Sequence, residues 1–185
     1  MLKDLVVKNR SYRRFYETER ITREQLERWV DNARLTASGA NAQPVRYKLV
    51  FEQTDTKKVF ATLGWAAYYK DWDGPVEGER PTAYILLALP EGKNAQYDEG
   101  IEAQTILLSA VEEGFGGCLL RNVDFNCLHE SLPPAAGYRY DLVIALGKPK
   151  EICVTEDVKN DNIRYYRDEN QVQHVPKRTL REVLM

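Results

Sequence analysis

The chain has 185 residues, 43% hydrophobic and 29% charged, which fits a folded globular domain and excludes an intrinsically disordered chain. Its 26 basic and 28 acidic residues leave a formal charge of -2, so no bulk attraction to nucleic acid or to an anionic membrane is expected and any anion site must be local. Three scattered cysteines (Cys118, Cys127, Cys153) and two histidines (His129, His174) offer neither a disulfide framework nor a metal-ligand spacing. The opening MLKDLVVKNR lacks the apolar stretch of a secretion signal, and the expectation is one cytoplasmic domain over residues 1–185 with no metal and no membrane span.

Leu2, Leu5 and Val6 recur at helical spacing and predict a short first helix ending at the basic cluster Arg10-Ser11-Tyr12-Arg13-Arg14. Thr22 and Gln25 have the spacing of a capping box, and Leu26, Trp29, Val30 and Ala33 then share one face of a second, amphipathic helix. The loop Ser38-Gly39-Ala40-Asn41-Ala42-Gln43-Pro44 stops that helix and feeds an apolar strand from Tyr47 to Phe51. Thr54 or Asp55 is expected to cap a third helix carrying Val59, Phe60 and Leu63. Gly64 to Pro81 reads as irregular, and its aromatics Trp65, Tyr68, Tyr69 and Trp72 read as core or interface packing.

Ala83 to Leu89 is a continuous apolar run, as a strand buried on both faces requires. From Asp98 to Glu113 the pattern is apolar nearly all round and predicts a central buried helix broken at Gly114. Gly116-Gly117-Cys118-Leu119-Leu120 leads into a short strand in which Cys118 reads as a buried, inert thiol. Asp124 can cap a short helix holding Leu128 and Leu132, and Tyr138 to Leu146 is a core strand closed by Gly147. The tail from Glu151 to Gln173 has charge without periodicity, yet it carries Ile163, Tyr165, Tyr166 and Val172, which should pack on something; a partner subunit is one such surface. Together these elements predict an α+β fold around a mixed sheet.

Four segments in this order resemble the nitroreductase family of flavoproteins: Arg10-Ser11-Tyr12-Arg13, Ser38 to Pro44, the buried helix with Gly114-Phe115-Gly116-Gly117-Cys118, and Pro176-Lys177-Arg178-Thr179-Leu180. The resemblance spans essentially the whole chain. It implies a mixed central sheet surrounded by helices, and a homodimer with the C-terminal tail packed on the partner subunit and FMN at the interface. FMN ends in a phosphate of about two negative charges, and arginines are its natural bidentate partners. The resemblance gives that role to Arg10, Ser11 and Arg13, of which Arg10 and Arg13, three apart, would share a face on a helical turn, and adds Lys177 or Arg178 without deciding between them.

By the same resemblance, Ser38, Gly39, Asn41 and Gln43 offer hydroxyl and amide groups to flavin hydroxyls and ring carbonyls. A main-chain N–H near Arg121 is aimed at the reactive N5, with Leu119 and Leu120 under the ring and Asn122 beside it. No catalytic side chain is expected, because the flavin carries the chemistry. The implied activity is ping-pong hydride transfer from NADH or NADPH to the flavin and on to a nitroaromatic, a quinone or a similar acceptor. A non-catalytic FMN-binding or storage protein, or a flavin oxidase or dehydrogenase specific for one metabolite, are the alternatives.

Overall fold

A computed structural model describes residues 1–185. The elements in chain order are α1 (Leu2–Lys8), β1 (Phe15–Tyr16), α2 (Arg23–Arg34), β2 (Arg46–Val50), α3 (Gln53–Phe60), β3 (Ala83–Pro90) and α4 (Gln96–Glu112). They continue with β4 (Gly116–Leu120), α5 (Phe125–Ser131), β5 (Tyr138–Pro149), β6 (Cys153–Asp157), β7 (Tyr166–Arg167), β8 (Gln173–Lys177) and α6 (Leu180–Val183). The central sheet runs β2-β3-β5, with β4 and β1 both along the far side of β5, and these pairings are antiparallel. Parallel pairing enters through a single bridge between Ser11 and Gly117 and through β6 with β8, which together with β7 form a separate three-stranded sheet.

β3 is the middle of the molecule. Its odd residues Ile85, Leu87 and Leu89 face a core shared with Leu26 and Trp29 of α2 and Ala103, Ile106 and Ala110 of α4. Its even residues Tyr84, Leu86 and Ala88 face a second core with Val59 of α3, Trp65 and Leu128 of α5. Alternation across a sheet covered on both faces explains the uninterrupted apolar run.

Thr22 caps α2 as its spacing predicts: its side chain accepts from Gln25 N while the Gln25 side chain returns to the Thr22 backbone. Asp124 likewise caps α5 by accepting from Cys127 N at 3.0 Å. Three expectations change. α3 begins one turn early, at Gln53, with Glu52 preceding it, so neither Thr54 nor Asp55 is the cap and Asp55 instead pairs with Lys58 at 2.7 Å. β5 does not close at Gly147 but continues to Pro149, because Lys148 and Pro149 pair with Tyr16 and Phe15 of β1, and Gly147 leaves room for the Phe15 ring, which a Cβ there would meet at 2.7 Å. Finally, α4 is central, yet it buries Glu99 and Glu102 and leaves Tyr97 and Ile101 exposed.

The tail also differs from a segment laid only on a partner. Tyr165 packs against Tyr68 at a tilt and edge-on to Tyr69 of its own chain, and Gln173, 1% exposed, accepts a hydrogen bond from Tyr69 at 2.6 Å. No helix is long and apolar enough to cross a membrane.

Candidate functional site

α1 ends at Lys8, and Asn9 turns the chain into extended backbone. Arg10 curls back over the helix end, donating from Nη2 to the Val6 carbonyl at 2.7 Å and from Nε to the Asn9 carbonyl at 2.5 Å, which leaves Nη1 without a protein partner. The chain then runs beside β4: Ser11 bridges Gly117, and Tyr12 N donates to Gly117 O at 3.0 Å. Gly116 makes this approach possible, since a Cβ there would meet the Tyr12 ring at 2.6 Å, while Gly117 lets β4 lie against β5, where a Cβ would fall 2.2 Å from the Ala145 carbonyl.

Glu151 fixes the next step. Its carboxylate side chain, 2% exposed, accepts from the Arg13 and Arg14 backbone N–H groups and pairs with Arg167 at 3.1 Å. Arg13 is thereby aimed by its backbone while its guanidinium stays free of carboxylate; it donates to Ser11 O at 3.1 Å and lies 4.9 Å over the Tyr165 ring.

These residues wall a cavity of about 490 Å³, whose other side comes from α4, β4 and the tail. Arg10, Ser11 and Arg13 meet Lys177 there, 164 positions beyond Arg13 in the chain, with Leu119, Gln104 and Tyr165 completing the walls. No acidic residue lines the cavity. Arg10, Arg13 and Lys177 form no ion pair, whereas the neighbouring Arg14, Arg167 and Arg178 all do. Three uncompensated cations around one concavity repel each other, and an anion relieves that repulsion.

Orphaned polar atoms point the same way. Asn9 Oδ1, Arg13 Nε and Gln173 Nε2 are buried at this cavity with no hydrogen-bond partner. Such groups cost free energy until something supplies the missing bond. A phosphate with a polyhydroxyl chain, the tail of FMN, matches this set of donors and acceptors, so the residues present fit that group.

The other anticipated residues fall elsewhere. Arg178, next to Lys177, turns to Asp161 at 2.7 Å and Glu182 at 3.9 Å. Leu120 points away from the cavity into the core because it alternates with Leu119 along β4. Asn122 packs against Gly64, whose N–H donates to the Asn122 carbonyl at 2.8 Å, and Arg121 reaches Asp141 at 3.0 Å. Ser38, Gly39, Asn41 and Gln43 form an exposed turn that closes on itself: Gln43 N donates to Ser38 Oγ at 2.9 Å and Gly39 N to Asp98 Oδ1 at 2.8 Å. Ala40, Asn41 and Gln43 hold positive φ there, and the Gln43 side chain donates back to Asn41 Oδ1 at 3.1 Å, so the two amides pair within the turn on a strained backbone.

Cys118 is buried and its thiol is pushed up by desolvation, so it is no nucleophile. Sequence reasoning missed Gln173, Gln104 and Asn9, lone amides with no motif around them; only the folding back of the tail brings Gln173 to the cavity.

A family model described as the nitroreductase family matches residues 6–148. Solved structures agree at low identity. A nitroreductase family protein from Clostridium novyi NT superposes with a TM-score of 0.67 at 22% identity, covering 81% of this chain and 86% of that one. An FMN-dependent nitroreductase from Clostridium difficile R20291 gives 0.63 at 21%, covering 90% and 97%. A protein from Exiguobacterium sibiricum 255-15, in complex with FMN, gives 0.66 at 15%, covering 82% and 89%. Comparison with curated proteins found no match.

Proposed function

Because the chain belongs to the nitroreductase family, we propose that it is an FMN-dependent NAD(P)H oxidoreductase, with the flavin phosphate held by Arg10, Ser11, Arg13 and Lys177. The observation that carries this reading is the convergence of three unpaired cations, from both ends of the chain, on one cavity without an acidic residue. When bound, FMN supplies a carrier that accepts hydride from a nicotinamide and returns electrons to an oxidised acceptor such as a nitroaromatic or a quinone.

The protein's own part is binding and orientation. Arg10 and Arg13 grip the phosphate, Lys177 adds a point charge, and Leu119, 39% exposed on β4, offers an apolar surface to the flat ring. Gln173 and Asn9 supply the amide groups that a ribityl chain needs.

The exposed apolar residues Val6 and Val7 of α1, Tyr97 and Ile101 of α4, and Leu180 and Leu184 at the C-terminus support a homodimer, because such side chains are costly to leave in water. In that dimer the exposed Ser38–Gln43 turn serves the partner's flavin.

The test is a fluorescence titration of flavin-free protein with FMN, followed by anaerobic mixing with NADH and NADPH. Arg10→Ala with Arg13→Ala is expected to weaken FMN by roughly 100-fold or more, since charge-assisted bonds contribute about 1.5–3 kcal/mol each. Unchanged affinity would overturn the assignment. A flavin that stays oxidised under excess of both nicotinamides would make the chain a flavin-binding module and not a reductase.

A further inference from the structure

One ionic cluster lies outside the phosphate cavity. Glu99 on α4 is 3% exposed, its Oε1 has no hydrogen-bond partner, and no lysine or arginine pairs with it. The group facing it is another carboxyl, Asp141 on β5, 7% exposed, which pairs with Arg139 and, at 3.0 Å, with Arg121. The other charged groups near Glu99 are committed elsewhere: Asp98 to Gly39 N, Glu102 to the Tyr47 hydroxyl, and Arg139 also to the Lys93 carbonyl.

Two carboxylates buried side by side cannot both ionise cheaply, so one keeps its proton. Burial, and then the charge and hydrogen bond of Asp141, push Glu99 up to about 8. Burial acts to raise Asp141 as well, but the Arg139 and Glu99 hydrogen bonds and the Arg121 charge outweigh it and hold Asp141 below the ordinary value. Glu99 is the acid that keeps the proton, and Asp141 the carboxylate that accepts it.

The consequence falls on Arg121. Its contact with Asp141 is close but not aligned as a hydrogen bond, and its side chain is 54% exposed, so it is tethered by charge and free to swing. Arg121 lies just past the end of β4, two residues beyond Leu119, and its contact with Asp141, which faces Glu99, holds it on the α4 side of the sheet, where Gln104 of α4 and Leu119 line the cavity. With one shared proton, two arginines face a single negative charge, and the surplus belongs to the exposed one.

We propose that the Glu99–Asp141 pair shares one proton at neutral pH and thereby positions Arg121 with charge to spare toward an anionic ligand at the ring end of the flavin site. This rests on the flavin reading above for the identity of the site, though not for the state of the pair. Loss of the shared proton balances the cluster and draws Arg121 inward onto Asp141. Arg121 is then withdrawn from the ligand.

The flavin-free protein, labelled at its Glu carboxyl carbons and Arg side-chain nitrogens, tests the pair by NMR. The Glu99 signal, identified by its absence from Glu99→Gln, is expected to titrate at about 8, and the Arg121 Nε signal to shift with it in the wild type and to stay put in Glu99→Gln. With FMN bound, benzoate serves as the anionic probe, followed by flavin absorbance. Its dissociation constant is expected to rise roughly three- to tenfold between about pH 7 and about pH 9, and to stay flat in Glu99→Gln. Glu99 ionising near about 4, the ordinary carboxylate range, overturns the proposal. So does an Arg121 signal or a benzoate profile in Glu99→Gln that follows the wild type. A chain that takes up no FMN sinks the proposed function instead, and the two NMR signals still decide the pair.

Discussion

The central sheet and the C-terminal sheet are stabilised by opposite means. β3 carries no charged side chain, and Ala83 to Leu89 are at most 5% exposed, so apolar burial and the ladders to β2 and β5 hold the centre without any side-chain charge of its own. The tail strands β6, β7 and β8 have one fully buried side chain, Gln173, and are held by named polar contacts. These are Glu151 with Arg167 and the Arg13 and Arg14 amides, and Arg167 lying 4.7 Å over Trp72. The basic cavity lies on the seam: Arg10, Ser11 and Arg13 come from the segment pinned to β4, and Gln173 and Lys177 from the tail. Scaffold and site are thus separable, and a lesion in one should not imitate a lesion in the other.

The largest expected effect is in the scaffold. Leu86→Ala, at a side chain with 0% exposure, is expected to cost about 4 kcal/mol of global stability through lost burial and the cavity left behind. Denaturant unfolding measures it. FMN affinity of the protein that remains folded should be unchanged; a parallel loss of affinity would mean that sheet and seam are one unit.

Glu151→Gln is the complementary lesion. Removing the charge that faces Arg167 and two backbone N–H groups is expected to cost about 3 kcal/mol of local stability, as breaking a buried pair does. Hydrogen exchange over residues 153–177 should accelerate and FMN affinity should drop about tenfold or more, with little change in the unfolding midpoint. Unaltered exchange in the tail would show that Glu151 is not its anchor.

Thr22→Ala removes the hydroxyl half of the α2 capping box and is expected to cost about 1 kcal/mol by chemical denaturation, with no effect on FMN. This cap and the buried run of β3 were legible in the sequence because both are local: four residues suffice for one, seven for the other. The basic turn at Arg10 and Arg13 was legible for the same reason. What stayed hidden is long-range. β1 is two residues, Phe15 and Tyr16, given meaning only by Lys148 and Pro149 across the sheet. β6 pairs in parallel with a strand about twenty residues on, and charge-rich strands of that length leave no period to detect. The burial of Glu99 against another carboxyl was hidden for the same reason, since nothing local announces Asp141. Lys177 and Arg178 could not be told apart until Asp161 was seen to take Arg178.

The smallest effect probes the same tail through pH. His174 on β8 lies between Glu156 at 3.1 Å and Asp168 at 3.4 Å and stacks on Tyr166 with ring centroids 4.7 Å apart. The Glu156 hydrogen bond raises its pKa against the opposing pull of desolvation, and Asp168 adds to the rise, while both carboxyls are held below their ordinary values. A histidine whose folded pKa is raised contributes stability that is complete below its unfolded pKa and is lost as pH rises through the folded one. Exchange protection over residues 153–177, corrected for the intrinsic pH dependence, should therefore decline between about pH 6 and about pH 8, and the decline should vanish in His174→Gln. The central sheet, with no charged side chain in β3, gives no reason for its protection to follow. If the tail gained protection over that range, or if β3 lost it in step, the division between an ionic seam and an apolar scaffold would not hold.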